Sequence, residues 1–113
     1  MIQEGIRLFN DRKYWHAHEA WESAWRALAE GPERTHLQGL IQACGVFHLI
    51  GIGRVDPAAR MAISSLEKLR SGSSGVEIPG LEEVLEKAIV GAVDTLALAE
   101  SLKARLSSQS PAS

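Results

Sequence analysis

Between Tyr14 and Trp25 the chain reads Tyr-Trp-His-Ala-His-Glu-Ala-Trp-Glu-Ser-Ala-Trp, setting two histidines and two carboxylates among three tryptophans. On a helix, His18 and Glu22 are neighbours four residues apart, and Trp25 continues their stripe. Two kinds of chemistry suit that spacing. In one, Glu22 accepts a hydrogen bond from the His18 imidazole and sets its tautomer, with Trp25 packed alongside. In the other, His18 and Glu22 are two ligands of zinc or iron, a role that needs a third donor from elsewhere. His48 is the candidate third ligand, because it is the histidine inside the apolar run Leu37 to Ile52. Glu19 would then be the general base of a metal-dependent hydrolase.

The segment His18-Glu19-Ala20-Trp21-Glu22 resembles the His-Glu-x-x-His helix of metalloproteases, but Glu22 stands where the second histidine belongs, which weighs against a protease. Gln38 and Gln42, also four apart, lie where the next helix turns apolar. A buried glutamine left without partners costs about 1–3 kcal/mol, so both are expected to be bonded, either in a network that sets helix register or around a small polar ligand. If the helices carrying these residues are antiparallel, the glutamines meet Glu22 and Trp25 while His48 approaches His18. His16 and His36 are assigned no role. Trp15 and Trp21 read as core or as a partner-facing aromatic patch.

Positioning these side chains requires helices. Ile2, Gly5, Ile6, Leu8 and Phe9 recur at helical spacing and stop at Asn10-Asp11, predicting helix one. Helix two is predicted from Tyr14 to about Glu30, ended by Gly31-Pro32, and helix three from Pro32–Thr35 to about Gly53, apolar nearly all round and therefore central. Its glycines suggest close packing, with Gly51 and Gly53 at its end. Asp56-Pro57 reads as the cap and first residue of helix four, running to Arg70, before the loop Ser71-Gly72-Ser73-Ser74-Gly75. The stripe Leu81, Val84, Leu85, Ala88, Ile89, Ala92, Val93, Leu96, Ala99 and Leu102 predicts one helix five to about Leu106. The expected architecture is an all-α antiparallel bundle of about five helices with weakly tetratricopeptide-like hairpins: a single domain over 1–106 and a disordered tail over 107–113.

Composition narrows the function classes. The 113 residues are 45% hydrophobic and 23% charged, with net charge −2 and no basic run, which argues against nucleic-acid binding. One cysteine, Cys44, allows neither an internal disulfide nor a cysteine-based zinc site and reads as inert packing in a reducing cytoplasm. The N-terminus lacks the pattern of an export signal, and the apolar run is broken by Gln38, Gln42 and His48 short of a membrane span. No Ser-His-Asp set, phosphate loop or paired CxxC is present.

The pattern Phe9-Asn10-x3-Tyr14-x2-Ala17-His18-Glu19-x2-Glu22-x2-Trp25-Arg26, followed by Leu37-Gln38-Gly39-Leu40-Ile41-Gln42-Ala43 and His48, resembles a family of small helical bacterial and archaeal proteins, domain-of-unknown-function 309. The resemblance runs from about Ile6 to Leu69. It implies an all-α bundle, names no activity, and falls on His18, Glu19, Glu22, Trp25, Gln38, Gln42 and His48. A departure occurs before helix four, where the family's Arg-Gly-Asn turn is replaced by Gly53-Arg54-Val55-Asp56-Pro57. The leading reading is a non-catalytic binding or interaction module, with no cofactor expected and a small ligand or protein as partner. The alternative is the metal-dependent enzyme with His18, Glu22 and His48 as ligands. A third reading places a homodimer surface on helix five or around Trp15 and Trp21.

Overall fold

The computed structural model describes residues 1–109. Its elements are α1 (Ile2–Asn10), α2 (Tyr14–Arg26), α3 (Pro32–Gly51), α4 (Val55–Leu69), β1 (Val76–Glu77), α5 (Leu81–Ile89), α6 (Thr95–Ala99) and β2 (Arg105–Leu106), followed by a 3₁₀ turn at Ser107–Gln109. The expected all-α bundle is what forms, with α3 at its centre between α2 and α4. Of the tail expected to be disordered over 107–113, Ser107–Gln109 forms the 3₁₀ turn, with the Ser107 amide donating to the Gly75 carbonyl, and 110–113 lie outside the described residues. No helix among the described residues is long and apolar enough to cross a membrane.

The α3–α4 contact is close because its side chains are small. Ala58, Ala62 and Ser65 of α4 are fully buried, and a Cβ on Gly39 would sit 3.0 Å from the Leu69 backbone nitrogen. That approach lets the Ser65 hydroxyl donate to the Gly39 carbonyl at 2.7 Å, which satisfies a buried polar group within the interface. Phe9, Tyr14, Trp21 and Phe47 fill the side toward α1 and α2 with stacked and edge-on rings.

Helix two is shorter than expected and ends at Arg26. The Trp25 carbonyl, which one more turn would have engaged, accepts instead from the Leu28 amide and from Arg34 Nε. Helix four begins two residues early, at Val55, so Arg54 takes the cap position expected for Asp56, which lies in the first turn. The largest departure is helix five, which is two helices. Gly91 adopts φ +71°, and the Ala92 and Gly91 amides return to the carbonyls of Lys87 and Ala88, closing α5 in a Schellman turn. The stripe's Val93 is consequently fully exposed.

Beyond α6 the chain runs back across the molecule. Val76 pairs with Leu106 and Glu77 with Arg105 in a short antiparallel ladder. Asn10, expected only to stop α1, clamps this segment: its side chain accepts from the Ala104 amide at 2.7 Å and donates to the Ala104 carbonyl at 3.1 Å.

Candidate binding site

Spacings of three, four and three residues bring Trp15, His18, Glu22 and Trp25 onto one side of α2. The Trp15 ring stacks on the His18 imidazole at 4.7 Å, nearly parallel, and meets His48 of α3 at 5.1 Å. His18 Nδ1 lies 3.7 Å from Glu22 Oε2, too far for a hydrogen bond, and is buried with no hydrogen-bond partner. Glu22 accepts instead from Arg26, one turn along. At the other end the Arg34 guanidinium covers the Trp25 ring at 3.8 Å, a cation–π contact, while the Trp25 indole N–H is buried and also without a partner.

The antiparallel arrangement expected for these helices is therefore present, but it assembles fewer residues than the sequence suggested. Gln42 turns to α4, where its Oε1 accepts from Ser64, whose oxygen in turn accepts from Lys68. Gln42 and His48 are six residues apart, roughly 120° around α3, so they point in different directions from the helix. Gln38 is partly buried on α3. Glu19 is exposed and faces His16 at 3.6 Å, outside the stripe. Nor do His18, Glu22 and His48 converge as a ligand set: no three His, Cys, Asp or Glu side chains among the described residues are grouped to hold a metal ion. Trp15 contacts both imidazoles instead. Trp21 is fully buried, which removes it from any partner-facing patch. Cys44 is buried and its thiol is pushed up by burial, in keeping with packing.

Sequence reasoning missed Trp15 and Arg34 as members of the face. Trp15 could have been found by extending the His18–Glu22–Trp25 stripe one turn back. Arg34 could not, because nothing local couples it to Trp25.

Two clefts are formed by the described residues, the first of which adjoins this face. One, of about 430 Å³, lies between the α1–α2 turn, the end of α3 and α6, with Tyr14, Trp15, Phe47, His48 and Glu100 in its walls. Arg12, in the left-handed conformation at φ +63°, closes α1 in a second Schellman turn and pairs with Glu100 at 3.2 Å. The other, of about 610 Å³, lies beside β1 and α5. Of its lining residues, His36, given no role from sequence, shares a 2.8 Å hydrogen bond with Ser74, and Glu82 and Glu86 accept from Arg70.

Burial holds the His36 imidazole below its ordinary value of 6.5, and the Glu82 carboxylate opposes this in part. The unfolded chain then binds the proton more readily, so this contribution to stability is complete above pH 6.5 and is lost as pH falls through that value toward the folded one. Melting temperatures should accordingly fall less steeply for His36→Gln than for wild type between about pH 7.5 and 5. Identical slopes would show that burying this imidazole has no energetic consequence.

Fold and site together define a small helical protein of two packed hairpins, with a polar and aromatic face running between α2 and α3. The chain belongs to the family described as Domain of unknown function (DUF309), whose model matches residues 2–61, more than half of its length. Every residue of the α2–α3 face lies inside the matched region, whereas Ser64, α5 and α6 lie beyond it. No curated protein matches the chain, and no solved structure does.

Proposed function

We propose that this protein is a non-catalytic binding module whose ligand lies along the α2–α3 face, between His18 and Trp25. The observation that carries this reading is the pair of buried nitrogens, His18 Nδ1 and Trp25 Nε1, that have no hydrogen-bond partner. They are seven residues apart on one helix, about 10 Å along its axis. Each buried polar group left unbonded costs on the order of 1–3 kcal/mol, a cost that a ligand with two acceptors at that separation would offset. Glu22 and the Arg34 guanidinium lie beside them and supply one charge of each sign for orienting a polar compound. A cytoplasmic location accords with the single reduced cysteine.

The test uses ¹⁵N-labelled, tag-free protein purified without chelator and titrated with small amide and carboxylate fragments. The Trp25 indole resonance is expected to move in a saturable way, and the response should be lost in His18→Ala. The melting temperature should not change on adding EDTA. Near-stoichiometric metal, with a melting point that falls on chelation, would overturn the non-catalytic reading. A Trp25 resonance indifferent to every fragment would overturn the binding face.

A further inference from the structure

We propose that the 430 Å³ cleft between the α1–α2 turn, the end of α3 and α6 is a second site, one that takes a small planar aromatic carboxylate. It shares only the Trp15 and His48 rings with the α2–α3 face and does not depend on the two buried nitrogens there.

The size suits such a ligand, since pockets for small molecules run from roughly 300 to 1,000 Å³. The walls suit an aromatic ring. Trp15 is 47% exposed although His18 and His48 pack against it, so part of its ring surface remains open to solvent. Ile52, another wall residue, is 58% exposed. Phe47, which is fully buried, and Tyr14, edge to face with it at 5.3 Å, back the cleft without adding open ring surface. The cleft is open beside Gly51, where a Cβ would meet nothing within 4 Å.

The polar groups suit a carboxylate. Tyr14 is only 9% exposed, and its hydroxyl is buried without a hydrogen-bond partner, so a donor in the wall is unused. Burial, with the Glu100 carboxylate adding to it, pushes this phenol up to about 12, so it remains a protonated donor at neutral pH. Lys13 also lines the cleft and has no carboxylate within 4 Å among the described residues, while Arg12 is already engaged by Glu100. The cleft thus carries one unbalanced lysine on a chain whose net charge is −2. A carboxylate placed between Lys13 and Tyr14 satisfies both groups, and the attached ring stacks on Trp15.

The three tryptophans make the site testable by NMR of the labelled indole N–H groups. Trp15 reports the cleft, Trp25 reports the α2–α3 face, and Trp21, bonded to the Ile2 carbonyl, serves as the internal reference. Titration with indole-3-acetate is expected to move the Trp15 resonance in a saturable way and leave Trp21 in place. Indole alone and acetate alone should each bind at least about tenfold more weakly, as the loss of one charge-assisted bond or of the ring contact requires. Tyr14→Phe, which keeps the ring, should weaken indole-3-acetate about tenfold, and Lys13→Gln should do likewise. An unchanged Trp21 resonance in each variant shows that the fold is retained, and Trp15→Ala gives a second route to lost binding. Three results would overturn the proposal: no saturable response of Trp15 in the wild type, equal affinity for indole and indole-3-acetate, or full affinity in Tyr14→Phe. Movement of Trp25 in place of Trp15 would also overturn it while supporting the α2–α3 face.

Discussion

Trp21→Ala is expected to lower stability by about 3–5 kcal/mol, the range for removing a buried aromatic side chain. The indole has no solvent exposure, stacks on Phe9 at 6.0 Å and donates to the Ile2 carbonyl at 3.0 Å. Truncation therefore opens a cavity between α1 and α2 and also removes the second hydrogen bond of a carbonyl in the first turn of α1. Against the roughly 5–15 kcal/mol that stabilises an ordinary domain, the variant would stand near the edge of folding. Its melting temperature should fall by about 15 °C or more. Thermal denaturation followed by circular dichroism checks this, with Trp15→Ala as the control. Trp15 is half exposed and should cost about 1 kcal/mol or less. Equal losses in the two variants would contradict the assignment of Trp21 to the core and Trp15 to the surface.

Gly5→Ala should destabilise by about 1–3 kcal/mol, opposite in sign to the helical preference for alanine over glycine. Gly5 is in the middle of α1, where alanine would ordinarily be favoured by up to about 1 kcal/mol. A Cβ there, however, would fall 2.2 Å from Trp21 Nε1 and 2.3 Å from Cδ1, and the buried indole has no room to withdraw. Overpacking thus outweighs propensity. Because the clash is with the pyrrole edge of the indole, Trp21→Phe should relieve part of it. The double variant is then expected to lose less than the sum of the single losses by about 1 kcal/mol. Urea denaturation of the four proteins measures that coupling. Gly51→Ala, at the end of α3 with open space around it, should instead be neutral or slightly stabilising. If Gly5→Ala were stabilising, the α1–α2 packing described above would be wrong.

Much of the architecture was legible because it rests on local, periodic signals. The starts of α1, α2 and α3 and the central position of α3 follow from apolar spacing and from Pro32, and the two glycines near the end of α3 mark its stop. The candidate face was legible in part for the same reason: residues three and four apart on a helix are neighbours whatever the rest of the chain does, so His18, Glu22 and Trp25 had to align. The break between α5 and α6 was harder to see. An apolar stripe continues through Gly91 in sequence, and only the left-handed turn taken by that glycine interrupts it.

The sequence by itself therefore determined which side chains share a helix face, because the helical repeat is a property of the backbone. It also determined that the bundle would be helical, because the apolar stripes require partners of the same kind. Tertiary structure alone decided which faces meet. It turned Gln42 to Ser64 and not to α2, laid Arg34 over Trp25, and brought His48, which had been sought as a third metal ligand, against the ring of Trp15. It also built the cleft of Tyr14 and Trp15 from the α1–α2 turn, the end of α3 and α6. The physical reason is common to all of these. Contacts between elements depend on the angle at which each helix docks, and that angle is set by the sum of many packing interactions and by small residues such as Gly39 and Ala62, not by any one motif.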